Sequence, residues 1–383
     1  MVPHFLLSDQ TLFTNPELFE LDYMPDQLLF RESQRAELAF RIRYGVEGMH
    51  PAHAICRGPP GSGKTTTVKH LFREIGGGTD GIVPIYLNFQ TGLTNYAICS
   101  KIFTRIIGHD PPGSGIPLRR LMDAIAEALL DRNVVLLVCL DDLQCLIQHD
   151  AENEVIYPLI RMSLDYPGCR AGVIMTTGEM RPDLSRIGDL SFSSTLCGEE
   201  IPFSPYTAEE IQEILRLRVR GGVLPGVISS GVLDLIVRKT EKAGDLRVGL
   251  DLLKRSVLRA EQEMRGSVLR EDVILAYGDA RLLHLKKALQ GLSGEERAIL
   301  LQVHQLAERG GGGLISGDLY GHLIEEEEMA YWIFMERLEN LADLGLIDLR
   351  VRQAKGRTDV IVPRYSREEV EGICNRESGV LTA

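Results

Sequence analysis

Apolar residues cluster along the first half of the chain into short blocks: His53-Ala-Ile-Cys56, Ile82-Val-Pro-Ile-Tyr-Leu87, Val134 to Leu140 and Ala171-Gly-Val-Ile-Met-Thr176. Each has the length of a strand, and the stretches between them read as helices. Residues 1–205 are therefore predicted to form a parallel α/β sheet. From Tyr206 to residue 290 the pattern is helical throughout. Thr207-x-x-Glu210 is a capping box at its start, and Leu246 to Met264 repeats apolar residues at three- and four-residue spacing. A second capping box, Ser293-x-x-Glu296, opens residues 291–374. Two or three helices follow. Then Leu346–Arg352 and Thr358–Val362 alternate with a period of two, as a hairpin with Gln353–Arg357 at its tip.

Helices followed by a two-stranded hairpin predict a winged-helix domain, and residues 375–383 read as a loose tail. No internal repeat at solenoid spacing and no long low-complexity tract interrupts this order. The 383 residues are 44% apolar and 25% charged, which excludes a disordered chain. The longest apolar run, Val134 to Leu140, has seven residues, against about 18 for a membrane span. The first residues carry no basic stretch ahead of an apolar one, so no secretory signal is read. The seven cysteines are scattered and form no C-x-x-C, which argues against a disulfide framework or a structural zinc site and for a reducing cytoplasm. The formal charge of −12 argues against a nucleic-acid binder held by bulk positive charge, though not against one that concentrates cations locally.

Gly58-Pro-Pro-Gly-Ser-Gly-Lys-Thr65 is a complete P-loop, directly after the strand His53–Cys56 and before an apolar helical stretch. Its glycines let backbone amides turn around phosphate oxygens, and the following helix presents its positive end to the same anion. Lys64 is expected on the β- and γ-phosphates and the Thr65 hydroxyl on Mg²⁺. The strand Val134–Leu140 then delivers Asp141 and Asp142 to its C-terminal edge, where ligands bind in open α/β sheets. Asp141 takes the Walker B role at Mg²⁺. Asp142 stands where a glutamate usually polarises the attacking water and is one methylene shorter. Thr177, at the end of the fourth strand, fits a γ-phosphate sensor; a hydroxyl bonding the backbone accounts for it equally. Arg247, near a helix start in Gly244-Asp-Leu-Arg247, fits a second sensor reaching from a lid, and a solvated arginine is the alternative.

In these residues, and along nearly its whole length, the chain resembles the archaeal DNA replication initiators related to the origin recognition complex, a branch of the AAA+ ATPases. Tyr23-Met-Pro25 with Leu28-Leu-Phe-Arg-Glu-Ser-Gln34 matches the family's lead-in. Thr195 to Ile211 matches its transition into the lid, and Gly244 to Leu253 its sensor helix. The resemblance implies an AAA+ parallel-sheet core (1–205), a helical lid (206–290) and a winged helix (291–374). It implies ATP or ADP with Mg²⁺ as ligands, held by Gly61, Ser62, Gly63, Lys64, Thr65 and Thr66, with further contacts from Tyr206, Arg218 and Arg247. It also implies binding to double-stranded origin DNA, recruitment of a replicative helicase or of further initiator copies, and no membrane partner. Asp142, Thr177 and the absence of an arginine in Ser191–Thr195 depart from the usual AAA+ pattern; Arg186 lies nearby. Slow hydrolysis and a nucleotide-gated switch are the expectation. The alternatives are an ATP-regulated transcriptional regulator and a clamp-loader-like motor.

For DNA, residues 207–290 hold 15 Lys and Arg against 12 Asp and Glu, and residues 291–372 hold 9 against 16. The helix expected in the recognition position, Met329–Leu341, carries more acid than base, so it packs the core through Trp332, Phe334, Met335 and Leu338 or reads DNA poorly. In the hairpin, Arg350 and Arg352 share a face and Lys355 and Arg357 sit at the tip, suited to a minor groove or to phosphates; a solvated charged hairpin is the alternative. The stretch from Tyr96 to Arg120, with Lys101, Arg105, Arg119 and Arg120, is a further DNA candidate or a plain surface helix and loop.

Overall fold

The computed structural model describes residues 11–77, 81–89, 94–112, 116–143, 145, 155–178, 200–309, 314–324, 329–354 and 356–378. They fall into two compact units, Met1–Val273 and Ile274–Ala383.

In the first unit β1 (Ala54–Arg57), β2 (Ile82–Asn88), β3 (Val135–Asp141), β4 (Ala171–Thr177) and β5 (Glu200–Pro202) form one sheet in the order β2-β3-β4-β1-β5. Every pairing is parallel. All five strands therefore end at one edge. The period of two sorts each strand between two cores. Leu136, Val138 and Leu140 of β3 face one way, toward Ile98, Ile102, Ile125 and Leu129 of α3 (Asn95–Ile107) and α4 (Leu118–Asp131). Val135, Leu137 and Cys139 face the other, toward Leu38, Ile42, Val68 and Leu71 of α1 (Glu32–Val46) and α2 (Lys64–Gly76). Helices on both faces leave β3 wholly buried, as its unbroken apolar run required. Two short helices, α5 (Ile156–Ile160) and α6 (Met162–Asp165), precede β4. The candidate DNA stretch from Tyr96 begins as α3, which buries Ile98, Cys99, Ile102, Phe103 and Ile106, while Lys101, Arg105, Arg119 and Arg120 are exposed.

The lid is α7 (Ala208–Gly222), α8 (Ser230–Ala243) and α9 (Leu246–Gln262). The Thr207–Glu210 capping box forms in both directions and sets the start of α7. A short 3-10 helix, Pro16–Phe19, lies against α7 and α9, with Phe19 where a side chain on Gly222 would stand. Thr11 and the Leu12 amide donate to Glu261, and Lys254 pairs with Glu20. The N-terminal segment is thus fastened to the lid, although it precedes the sheet in sequence.

The helix α10 (Arg270–Gly291) begins in the first unit, and its second half supplies Leu285, Ala288 and Leu289 to the core of the second. There α11 (Gly294–Arg309), α12 (Ser316–Ile324), α13 (Tyr331–Asp343) and α14 (Arg367–Ser378) accompany a three-stranded antiparallel sheet. Its order is β6 (Leu314–Ile315), β8 (Gly356–Pro363), β7 (Ile347–Ala354), and it is the winged helix the pattern predicted, with a short strand added. Phe334, Leu338 and Leu341, on one face of α13, are fully buried. Trp332, expected in that core, is 68% exposed because it lies two residues, about 200°, around the helix from Phe334. Among the described residues no helix is long and apolar enough to cross a membrane.

Candidate functional site

Where β1 ends, the chain turns through the P-loop into α2, and the backbone there requires glycine. Gly61 and Gly63 have φ of +71° and +90°. A Cβ on Gly61 would collide with Asp245 Oδ1, and one on Gly63 would meet the Tyr206 hydroxyl at 2.6 Å. The lid, and the hinge that enters it at Ser204 to Tyr206, thus rest directly on the P-loop cradle. Between them lies a cavity of about 870 Å³, a volume usual for small-molecule sites. Gly61, Gly63, Lys64, Thr65, Thr66, Asp141, Asp142, Tyr206, Arg218 and Arg247 all line it. Ser62 is buried beside it and Thr177 lies behind it, fully buried, with its carbonyl accepting from the Gly58 amide. At the end of β4 it is Gly178 that faces the cavity.

Lys64 is buried, and its ammonium donates to the carbonyls of Gly58 at 2.6 Å and Pro59 at 2.9 Å. Burial lowers its pKa, against the opposing pull of Asp142 and Asp141. Asp141 is 1% exposed and surrounded by donors. The Thr65 hydroxyl reaches its two oxygens at 2.9 and 3.1 Å, Tyr86 Oη donates at 2.5 Å, Asn88 Nδ2 at 3.2 Å and Thr176 Oγ1 at 2.5 Å. The Thr176 hydroxyl also accepts from the Asp142 backbone amide at 3.1 Å, so one side chain ties the Asp141 carboxylate to the backbone of Asp142 at the strand end. Asp142 itself stands at φ +60°, a left-handed conformation that aspartate tolerates better than most residues. Burial and the bond to Asp141 push the Tyr86 phenol well above its ordinary pKa, so it remains a donor. The pair Thr65 and Asp141 presents hard oxygen atoms beside the cradle, the donor chemistry Mg²⁺ takes when phosphates complete its shell.

On the lid side Arg247 is held by Asp245, the N-cap of α9, through Nε at 3.0 Å and Nη2 at 2.7 Å. Arg218 stacks over the ring of Tyr23, 4.5 Å from its centroid. Motif reading missed Tyr86, Asn88, Thr176 and Asp245. Tyr86 and Asn88 share one face of β2 at its C-terminal end, a period-two signal visible in the sequence once the strand order places β2 beside β3. Thr176 and Thr177 are adjacent hydroxyls, and only the pleat decides which one turns toward Asp141.

In the second unit Arg350 is exposed on β7 opposite Val360, Arg352 pairs with Thr358 and Arg357 with Gln353. Lys355 lies outside the described residues, as do Arg186 and the segment Ser191–Thr195.

Comparison with known proteins fits this geometry. The Cdc6 AAA+ ATPase-type lid domain matches residues 212–278 and an AAA domain matches residues 47–178. ORC1-type DNA replication protein 6 of Halobacterium salinarum is 37% identical over 91% of each chain. ORC1-type DNA replication protein 2 of Methanosarcina mazei is 36% identical over 95% of this chain and 96% of its own. Among solved structures, Aeropyrum pernix ORC2 in its ADPNP–ADP complexes superimposes with a TM-score of 0.71 at 21% identity, covering 97% of this chain and 100% of that one. Aeropyrum pernix ORC1 in complex with DNA gives 0.69 at 23% identity, covering 96% and 98%. The structures share the AAA+ fold, and the sequence relatives settle kinship: the chain belongs to the ORC1-type DNA replication proteins, initiators of the ORC1/Cdc6 kind.

Proposed function

We propose that this protein binds ATP with Mg²⁺ between its α/β core and its lid, and that the bound nucleotide sets its hold on double-stranded origin DNA. The observation that carries the reading is the meeting of the P-loop hydroxyl Thr65 with Asp141 in a cavity the lid residues Tyr206, Arg218 and Arg247 also line.

In this reading backbone amides at Gly61–Thr66 hold the phosphates, and Lys64 exchanges its two carbonyl partners for β- and γ-oxygens. Thr65 and Asp141 hold Mg²⁺, which when bound supplies charge neutralisation to the phosphates. Arg247 forks onto the γ-phosphate in place of Asp245 and so draws the lid toward the core. Asp142, with Asn88 Nδ2 3.4 Å from its carboxylate, orients water. Its short side chain and positive φ favour slow turnover, so the nucleotide acts as a switch rather than as fuel for a motor. The hairpin cations Arg350, Arg352, Lys355 and Arg357 supply the DNA contact, in keeping with the relative solved on DNA. Recruitment of a replicative helicase or of further initiator copies belongs to the same proposal, on the kinship with ORC1-type replication proteins.

Lys64→Ala is expected to abolish nucleotide binding in a calorimetric titration; unchanged ATP affinity would remove the base of the mechanism. Chromatin precipitation compared with a replication-origin map tests the DNA role. Enrichment at origins is expected, while peaks confined to promoters would favour a transcriptional regulator.

A further inference from the structure

Arg31 stands behind the cleft and does not line it, and it is 4% exposed. Every arm of its guanidinium is committed. Nε donates to the Ser62 carbonyl of the P-loop at 2.8 Å. Nη1 donates to the Phe30 carbonyl at 2.7 Å, and Nη2 to the Ser204 carbonyl of the hinge at 2.7 Å. Its flat face lies 3.7 Å from the centroid of the Tyr206 ring. Tyr206 does line the cavity, and its hydroxyl rests where a Cβ on Gly63 would be.

A buried cation is costly unless its donors are satisfied. Here three carbonyls each accept a hydrogen bond from a different nitrogen and an aromatic face covers the plane, a combination only the planar fork of arginine offers. The four groups it joins come from the lead-in, the P-loop, the hinge and the mouth of the lid. Two of them bear on ligand: the P-loop at the phosphate end, and Tyr206 as a ring set at a fixed distance from it.

We infer that Arg31 is a positioning residue for the base end of the nucleotide: it locks the Tyr206 ring to the P-loop, so that one ligand can engage both at once. This rests on the cleft being the nucleotide site. A ligand with phosphates and a base depends on that fixed spacing; a ligand with phosphates alone does not.

The test is calorimetric titration of the full chain with ATP and with inorganic tripolyphosphate, on the wild type, Arg31→Lys, Tyr206→Leu and the double variant. Lysine keeps the charge and loses the fork and the face. Arg31→Lys is expected to weaken ATP roughly ten- to thirty-fold, the worth of a desolvated cation–π contact, and tripolyphosphate by less than about threefold on the same reasoning. Tyr206→Leu should show the same selectivity, and the double variant should be little worse than either single one, because both act through one ring. Equal loss for both ligands, an additive double variant, or wild-type ATP affinity in Arg31→Lys would overturn the inference. Should Arg31→Lys fail to fold, Arg31→Gln, which keeps an amide donor for one carbonyl, carries the same comparison. Absence of ATP binding by the wild type would instead overturn the nucleotide reading itself.

Discussion

The hydroxyl of Thr176 offers the sharpest test of the site, because one atom serves both the Asp141 carboxylate and the Asp142 backbone amide. Thr176→Val removes it with almost no change of shape. Asp141, 1% exposed, loses its 2.5 Å donor, and the Asp142 amide loses its 3.1 Å acceptor. A buried bond to a charged group is worth about 1.5–3 kcal/mol, and an orphaned amide costs about 1–3 kcal/mol. Asp142 retains some solvent access and Asp141 retains three other donors, so the lower half of the combined range applies, about 2.5–4 kcal/mol. In a unit of this size that lowers the melting temperature by roughly 6–12 °C. Thr176→Ser keeps the hydroxyl and loses one methyl, about 1 kcal/mol. The assay is thermal unfolding of the three proteins, followed by the Mg²⁺ dependence of ATP affinity, since the freed carboxylate is no longer aimed. A valine variant that melts within about 2 °C of wild type would refute this coupling, as would a serine variant that does not recover most of the loss.

Three further outcomes follow from particular contacts. Gly63→Ala forces a Cβ onto the Tyr206 hydroxyl at φ +90°, a strain of about 1–3 kcal/mol, and should weaken ATP on the order of tenfold or more in titration; wild-type affinity would show that the hinge does not rest on the cradle. His53 accepts the Val173 amide at 3.1 Å, and burial first, then His50, lower its pKa against a bond to Ile160, so it is neutral when folded. Its contribution is complete above the unfolded value of about 6.5 and declines as pH falls below it, by up to about 1.4 kcal/mol per pH unit. Urea midpoints at low pH should thus drop more for wild type than for His53→Gln. Replacing Arg350, Arg352, Lys355 and Arg357 by Ala should weaken DNA binding across sequences and reduce the salt slope by roughly 0.9 for each phosphate no longer neutralised, and an unchanged slope would place the DNA interface elsewhere.

Local chemistry wrote much of this protein openly in its sequence. The P-loop, the acidic pair at the C-terminal end of β3 and the two capping boxes each depend on residues a few positions apart, so spacing alone identifies them. Four of the five strands of the parallel sheet were legible for a related reason, most plainly β3 and β4, where burial on both faces leaves an apolar run; β5, three residues with Glu200 and Pro202 exposed, carries no such run. What tertiary structure decided are contacts between distant segments. Residues 11–20 belong with the lid because Phe19 fills the space beside Gly222, some two hundred residues away. Continuous helical periodicity in α10 carries no mark of where one core ends and the next begins. Arg31 and Thr176 look like ordinary polar residues until the fold brings Ser62, Ser204, Tyr206 and Asp141 to them, because a hydrogen-bonding partner is chosen by proximity in space, which periodicity does not encode.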